Sequence, residues 1–127
     1  MASGLPAATG DILTASTVNG LVAFTLNAQT GTSYTPVLTD QYQVLLTRSN
    51  ASASTLTIPL NSSVAFAIGT VITVLNIGTG LVTISGAGGV TVLSAGATAA
   101  SPTLAQYKSA ALIKTAADTW YVVGAIA

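Results

Sequence analysis

The chain has 127 residues, room for one compact domain and too few for two ordinary ones. Half of it is hydrophobic and 5% is charged, against roughly 25% in an average soluble domain, and its six charges (Asp11, Asp40, Arg48, Lys108, Lys114, Asp118) cancel. There is no Glu, His or Cys, which excludes imidazole bases, thiolate chemistry, disulfides and the usual nitrogen or sulfur metal sites, and three cations are too few for a nucleic-acid footprint.

In chain order, Met1–Gly10 has Ala, Gly, Ser and one Pro without any period. It reads as a tail, or an arm ordered only against a neighbour. Met1–Pro6 lacks a basic and a continuous apolar region, so no signal peptide is expected. Asp11 or Thr14 can cap a short helix over Ala15–Leu21, although Val18, Asn19 and Gly20 are poor helix formers. A strand over Val22–Leu26 is the equal alternative. Residues 1–30 are therefore read as an N-terminal arm with a short helix or strand, and 31–127 as the folded domain.

Beyond residue 30 the hydrophobic period is 2. Thr55–Ile58, Leu81–Ser85 and Val90–Leu93 alternate polar and apolar residues, while Thr70–Ile77 is rich in β-branched residues, as in a strand buried on both faces. Gly78-Thr79-Gly80 reads as a hairpin loop, with Gly86–Gly89 and Ser94–Ala97 as the next turns. Lys114–Asp118 joins Ala111–Ile113 to Trp120–Val123. Short strands with turns every 8–12 residues or so predict an all-β fold, a single antiparallel β-sandwich or small β-barrel with an N-terminal arm. No helical segments intervene to build a parallel βαβ sheet. Val64–Ile77 is broken by Gly69, Thr70, Thr73 and Asn76, too soon for a membrane span of about 20 residues.

The polar residues favour structural roles. Asp11 reads as a helix cap, and Asp40 and Asp118 as turn residues, rather than as an acid–base pair. Ser109 and Lys108 would point to opposite faces of a strand, so they do not form a nucleophile pair. The Gly clusters lack the Lys and the strand–loop–helix context of a phosphate loop and read as turns needing φ > 0. Asn50-Ala51-Ser52 and Asn61-Ser62-Ser63 match the glycosylation pattern by chance. Of the aromatic residues (Phe24, Tyr34, Tyr42, Phe66, Tyr107, Trp120, Tyr121), most are expected in the core, with Trp120 and Tyr121 facing opposite ways. No catalytic, cofactor-binding or metal-binding residue is assigned, and the chain reads as a non-enzyme without a cofactor.

Asn61–Ile72, Gln106–Lys114 followed by Asp118–Gly124, and the opening Gly10–Ala15 resemble segments of small β-modules in tailed-bacteriophage structural proteins. That resemblance implies a virion protein made in the host cytoplasm. Such modules occur as trimeric capsid decoration or minor capsid proteins, and as fibre tips. With no shaft, collagen-like repeat or enzymatic domain in the sequence, it implies a decoration protein on the capsid exterior. The partners are then sister copies, as a homotrimer, and the major capsid protein, with neither nucleic acid nor a membrane span. The alternative is a tail-fibre or head-fibre tip that binds a host-surface receptor or glycan, with Tyr34, Tyr42 or Trp120 in an exposed aromatic and amide cluster.

Overall fold

The structure, a computed structural model, describes residues 24–41 and 44–127. Strands β1 (Thr25–Gln29), β3 (Val44–Arg48), β5 (Val71–Asn76), β7 (Thr91–Ser94), β9 (Ser109–Ala116) and β10 (Thr119–Gly124) form a six-stranded sheet in the order β1-β3-β5-β9-β10-β7. Strands β2 (Ser33–Tyr34), β4 (Ser54–Ile58), β6 (Val82–Gly86) and β8 (Thr103–Leu104) form a four-stranded sheet in the order β2-β4-β6-β8. A 3-10 helix spans Leu38–Gln41. The expected all-β sandwich is present, built of two sheets packed on one core. Among the described residues no helix is long and apolar enough to cross a membrane.

Strand direction departs from the antiparallel expectation. From β1 to β9 every connection passes from one sheet to the other, so the chain winds as a coil. The pairs β1–β2, β3–β4 and β5–β6 are successive turns of that coil, each stacked in parallel on the one before in both sheets. Strand β9 then runs antiparallel to β5, β10 antiparallel to β9 and parallel to β7, and β8 antiparallel to β6. Parallel pairing normally needs a long crossover. Here the opposite sheet is the crossover, so no helices are required.

Gly78-Thr79-Gly80 is consequently a corner between sheets rather than a hairpin. Asn76 sets it, donating from Nδ2 to the Gly80 carbonyl at 2.9 Å and the Leu104 carbonyl at 2.9 Å. Its Oδ1 accepts from Gly78 N at 3.0 Å. This corner stacks on the previous one, with Gly80 N donating to the Asn50 carbonyl at 2.9 Å and Ile77 N to the Arg48 carbonyl at 2.8 Å. The glycines are needed for that close approach. A Cβ on Gly78 would meet the Asn50 backbone, and one on Gly80 the Ser52 carbonyl. The expectation of φ > 0 there is overturned. Left-handed backbone occurs instead at Gly69, Gly89 and Gly124, so the Gly86–Gly89 turn does use it. A connection between Ala111–Ile113 and Trp120–Val123 is present as a hairpin, but it is shorter than Lys114–Asp118: Lys114–Ala116 continue β9, and Ala117-Asp118 alone join it to β10.

Strand β5 alternates instead of being buried on both faces: Ile72, Val74 and Asn76 are buried, while Val71 is exposed. The core gathers Leu46, Leu56, Ile72, Ile84, Leu112 and Trp120 with their neighbours. Phe66 and Trp120 meet edge to face, with ring centroids 5.6 Å apart and planes at 88°. Such a pair adds about 0.5–1.5 kcal/mol beyond its buried area. Strand β1 lies inside the segment read as an arm and is an edge of the larger sheet. The expectations for Met1–Gly10, the capping residues Asp11 and Thr14, and the helix over Ala15–Leu21 fall outside the described residues.

Candidate functional site

Few of the charged side chains serve the exterior. Asp40, Arg48 and Lys114 are 2%, 1% and 1% exposed. Asp118 is half-buried, and among the described residues only Lys108 is an exposed charge. Arg48 and Lys114 share strand parity with buried Leu46 and Leu112, so both cations of the larger sheet point inward.

At the first turn of the coil a polar cluster is organised around Asp40, which the 3-10 helix carries. The Asp40 carboxylate accepts from Tyr34 Oη at 2.6 Å, Asn27 Nδ2 at 2.8 Å and Val37 N at 2.9 Å. Asn27 Nδ2 also donates to Tyr34 Oη at 2.9 Å, and Asn27 Oδ1 accepts from Gln29 Nε2 at 2.7 Å. Beneath the Tyr34 ring lies Arg48, its guanidinium carbon 6.0 Å from the ring centroid. Arg48 Nη2 donates to the Gly31 carbonyl at 2.9 Å, while Nε and Nη1 are buried without a partner among the described residues. Burial therefore holds the Arg48 guanidinium below its ordinary pKa.

Burial first, then the hydrogen bond to Asp40 and its charge, push the Tyr34 phenol up to about 12, with the Asn27 contact opposing. The folded chain thus keeps this proton where the unfolded chain has lost it, above the ordinary phenol pKa of 10.0. The resulting stability is fully present below pH 10.0 and disappears as pH rises to about 12. Denaturant melts across that window should show stability falling with pH. Tyr34→Phe should lower stability at neutral pH by about 1–2 kcal/mol and flatten the alkaline fall. A variant that keeps the same slope would show that Tyr34 is not its source.

At the other end of the larger sheet Lys114 forms a buried brace. Its Nζ donates to Asn61 Oδ1 at 2.6 Å and the Phe66 carbonyl at 2.7 Å. Asp118 Oδ1 accepts from Asn61 N at 2.8 Å. Two side chains dismissed as chance glycosylation matches thus have structural work, since Asn50 Nδ2 holds the Thr30 carbonyl at 2.7 Å. The sequence signal for a buried Lys114 was its place in the alternation of Ala110, Leu112 and Lys114 along one strand.

The outer face of the larger sheet is apolar. One cross-strand row runs Leu26, Leu45, Thr73, Ala111, Val123, and a second runs Val71, Ile113, Tyr121, Leu93. Leu26, Val71, Tyr121, Val123 and Leu93 are exposed, and no charged residue stands in either row. Near its β7–β10 edge, Leu93, Tyr121, Val123 and Ile126 help line a depression of about 390 Å³.

Asp40 and Asp118 engage different partners and do not form a joint site. Asp118 does sit in the β9–β10 turn, whereas Asp40 is buried in the 3-10 helix. Lys108 and Ser109 are both exposed. Among the described residues no group of His, Cys, Asp and Glu suited to a metal ion occurs. Most rings are not in the core. Phe66 and Trp120 are, Tyr34 is half-buried, and Phe24, Tyr107 and Tyr121 are exposed. Tyr42 lies outside the described residues. Trp120 and Tyr121 do face opposite ways, which removes Trp120 from any exposed cluster. No protein-family model matches the chain, and no curated protein or solved structure does.

Proposed function

We propose that the chain is a non-enzymatic virion structural protein. In this reading it decorates the outer surface of a bacteriophage head as an oligomer, a trimer, and stabilises the shell formed by the major capsid protein. It is made in the host cytoplasm and works on the capsid exterior. The phage affiliation rests on the sequence resemblance. Association rests on the uncharged outer face of the six-stranded sheet, which sister copies cover.

A soluble monomer ordinarily keeps apolar patches below a few hundred Å² and blunts open sheets with charge. This chain directs its sheet cations inward and leaves Leu26, Val71, Tyr121 and Val123 outside. An uncharged face is compatible with itself, and its burial yields about 25 cal/mol per Å² of apolar area before association costs. Several weak shell contacts per oligomer then add through multivalency.

Sedimentation should show an oligomer that persists at high salt, because few charges are present to screen. Val123→Lys should give monomers and lose capsid attachment. A wild-type monomer at micromolar concentration that also fails to bind capsids would remove the proposal. Imaging labelled protein on particles separates head from tail. A fibre tip that binds a host-surface glycan is the second reading, favoured by one observation: Tyr34 Oη accepts from the Asn27 amide, which in turn accepts from Gln29 Nε2.

A further inference from the structure

We propose that the cleft between β1 and the 3-10 helix is a binding site for a neutral carbohydrate. This deepens the second reading above, yet the site itself needs only the isolated chain and can exist on a decoration protein as well.

The first turn of the coil breaks the rule of the others. Thr25, Asn27 and Gln29 stand in register with Val44, Leu46 and Arg48. Where β3 buries Val44 and Leu46, the paired positions of β1 carry an exposed hydroxyl, Thr25, and a half-buried amide, Asn27. These residues help line a cleft of about 660 Å³, together with Tyr34, Val37 and Asp40, within the roughly 300–1,000 Å³ typical of ligand sites.

The chemistry of the walls selects the ligand. Asp40 is committed through both oxygens, Oδ1 to Asn27 and Oδ2 to Tyr34 and Val37 N. It therefore anchors the cluster and offers little to a cation. Among the described residues no basic side chain lines the cleft, which disfavours an anion. Gln29 donates one amide hydrogen to Asn27, and an amide has a second hydrogen and a carbonyl to offer. With the Thr25 hydroxyl, this gives paired donors and acceptors suited to vicinal hydroxyls. Val37, which is exposed, supplies apolar surface for the C–H face of a sugar ring. Because Asp40 already holds Asn27 and Tyr34 in place, little ordering is left for binding to impose.

The test is a titration of the full chain with maltose, lactose, cellobiose and N-acetylglucosamine, followed by amide chemical shifts. At least one sugar should move the side-chain amide signals of Asn27 and Gln29 in a saturable way. Gln29→Ala and Thr25→Val should each weaken that sugar by about tenfold, a loss of roughly 1.4 kcal/mol, with oligomeric state unchanged. Thr25 makes no bond to the Asp40 cluster, so Thr25→Val should also leave the melting temperature unchanged, whereas Gln29→Ala lowers it slightly by removing the bond to Asn27. No saturable shift with any of these sugars overturns the proposal, as does binding that both variants leave intact. Loss of binding by a variant that also loses its fold is resolved by the other variant. Sedimentation of the same samples reads the association reading separately, so either can fail alone.

Discussion

Gly80→Ala is expected to destabilise the protein by about 3 kcal/mol or more, beyond the usual overpacking range of roughly 1–3 kcal/mol. Most added methyl groups are accommodated by a side chain changing rotamer. At Gly80 the obstacle is the Ser52 carbonyl carbon and oxygen of the preceding corner, with the Asn50 carbonyl behind it. Backbone cannot rotate away without breaking the bond from Gly80 N to the Asn50 carbonyl at 2.9 Å. The two stacked corners would have to separate, loosening β3–β5 on one side and β4–β6 on the other. Thr79→Ala is the control, since Thr79 is exposed between the same glycines. Denaturant midpoints for both variants check the argument. If Gly80→Ala melts with Thr79→Ala, the corners are not in contact and the coil description is wrong.

The same corner shows what could be read from the sequence and what could not. Period-2 alternation located β4, β6 and β7 closely, because alternation reports only which side of a strand is buried. It is silent about which strand lies alongside. Gly78 and Gly80 signal a change of direction equally well whether the chain returns in the same sheet or passes to the other. What decides between them is Asn76, whose side chain reaches Gly78, Gly80 and Leu104, and Leu104 is 28 residues away. No local pattern contains that contact. The polar inward row of β1 was hidden for a related reason. Thr25-Leu26-Asn27-Ala28-Gln29 alternates in the same sense as a strand with its apolar side reversed, and only the pairing with Val44–Arg48 shows which side is inside.

Charge placement connects these local facts to association. A count of six charges suggested a weakly solvated exterior, and the fold makes it weaker by enclosing Asp40, Arg48 and Lys114. A buried ion is retained when its hydrogen bonds are satisfied and its removal leaves partners stranded. Asp40 meets that condition through three donors, and Lys114 through two acceptors. Both sit where a non-repetitive segment must be fixed to a sheet. The enclosed charges thus shape the ends of the sandwich, while the exposed rows between them carry no charged residue.

Lys114→Ala tests this division, with an expected loss of about 3–5 kcal/mol. The substitution removes the methylene stem from a packed position, a cavity cost of the kind that takes roughly 2–5 kcal/mol from buried aliphatics. It also strands the Phe66 carbonyl and the Asn61 amide, at about 1–3 kcal/mol for each buried group left unpaired; partial relaxation keeps the sum below the total of these figures. Lys114→Met keeps most of the volume and strands the same acceptors, so it should fall between Ala and wild type. The damage should spread to function. Phe66 packs on Trp120 at 5.6 Å, and Trp120 precedes Tyr121 on the strand that carries Val123 to the outer face. Releasing the Asn61–Phe66 segment therefore loosens β10, and Lys114→Ala should dissociate more readily on dilution than wild type. Denaturant midpoints and sedimentation on the three proteins measure both effects. Equal midpoints for Ala and Met would remove the packing part of the argument, and a loss below about 1 kcal/mol for both would remove the hydrogen-bond part. If stability falls while the oligomer is as tight as before, β10 is not the element through which the copies meet.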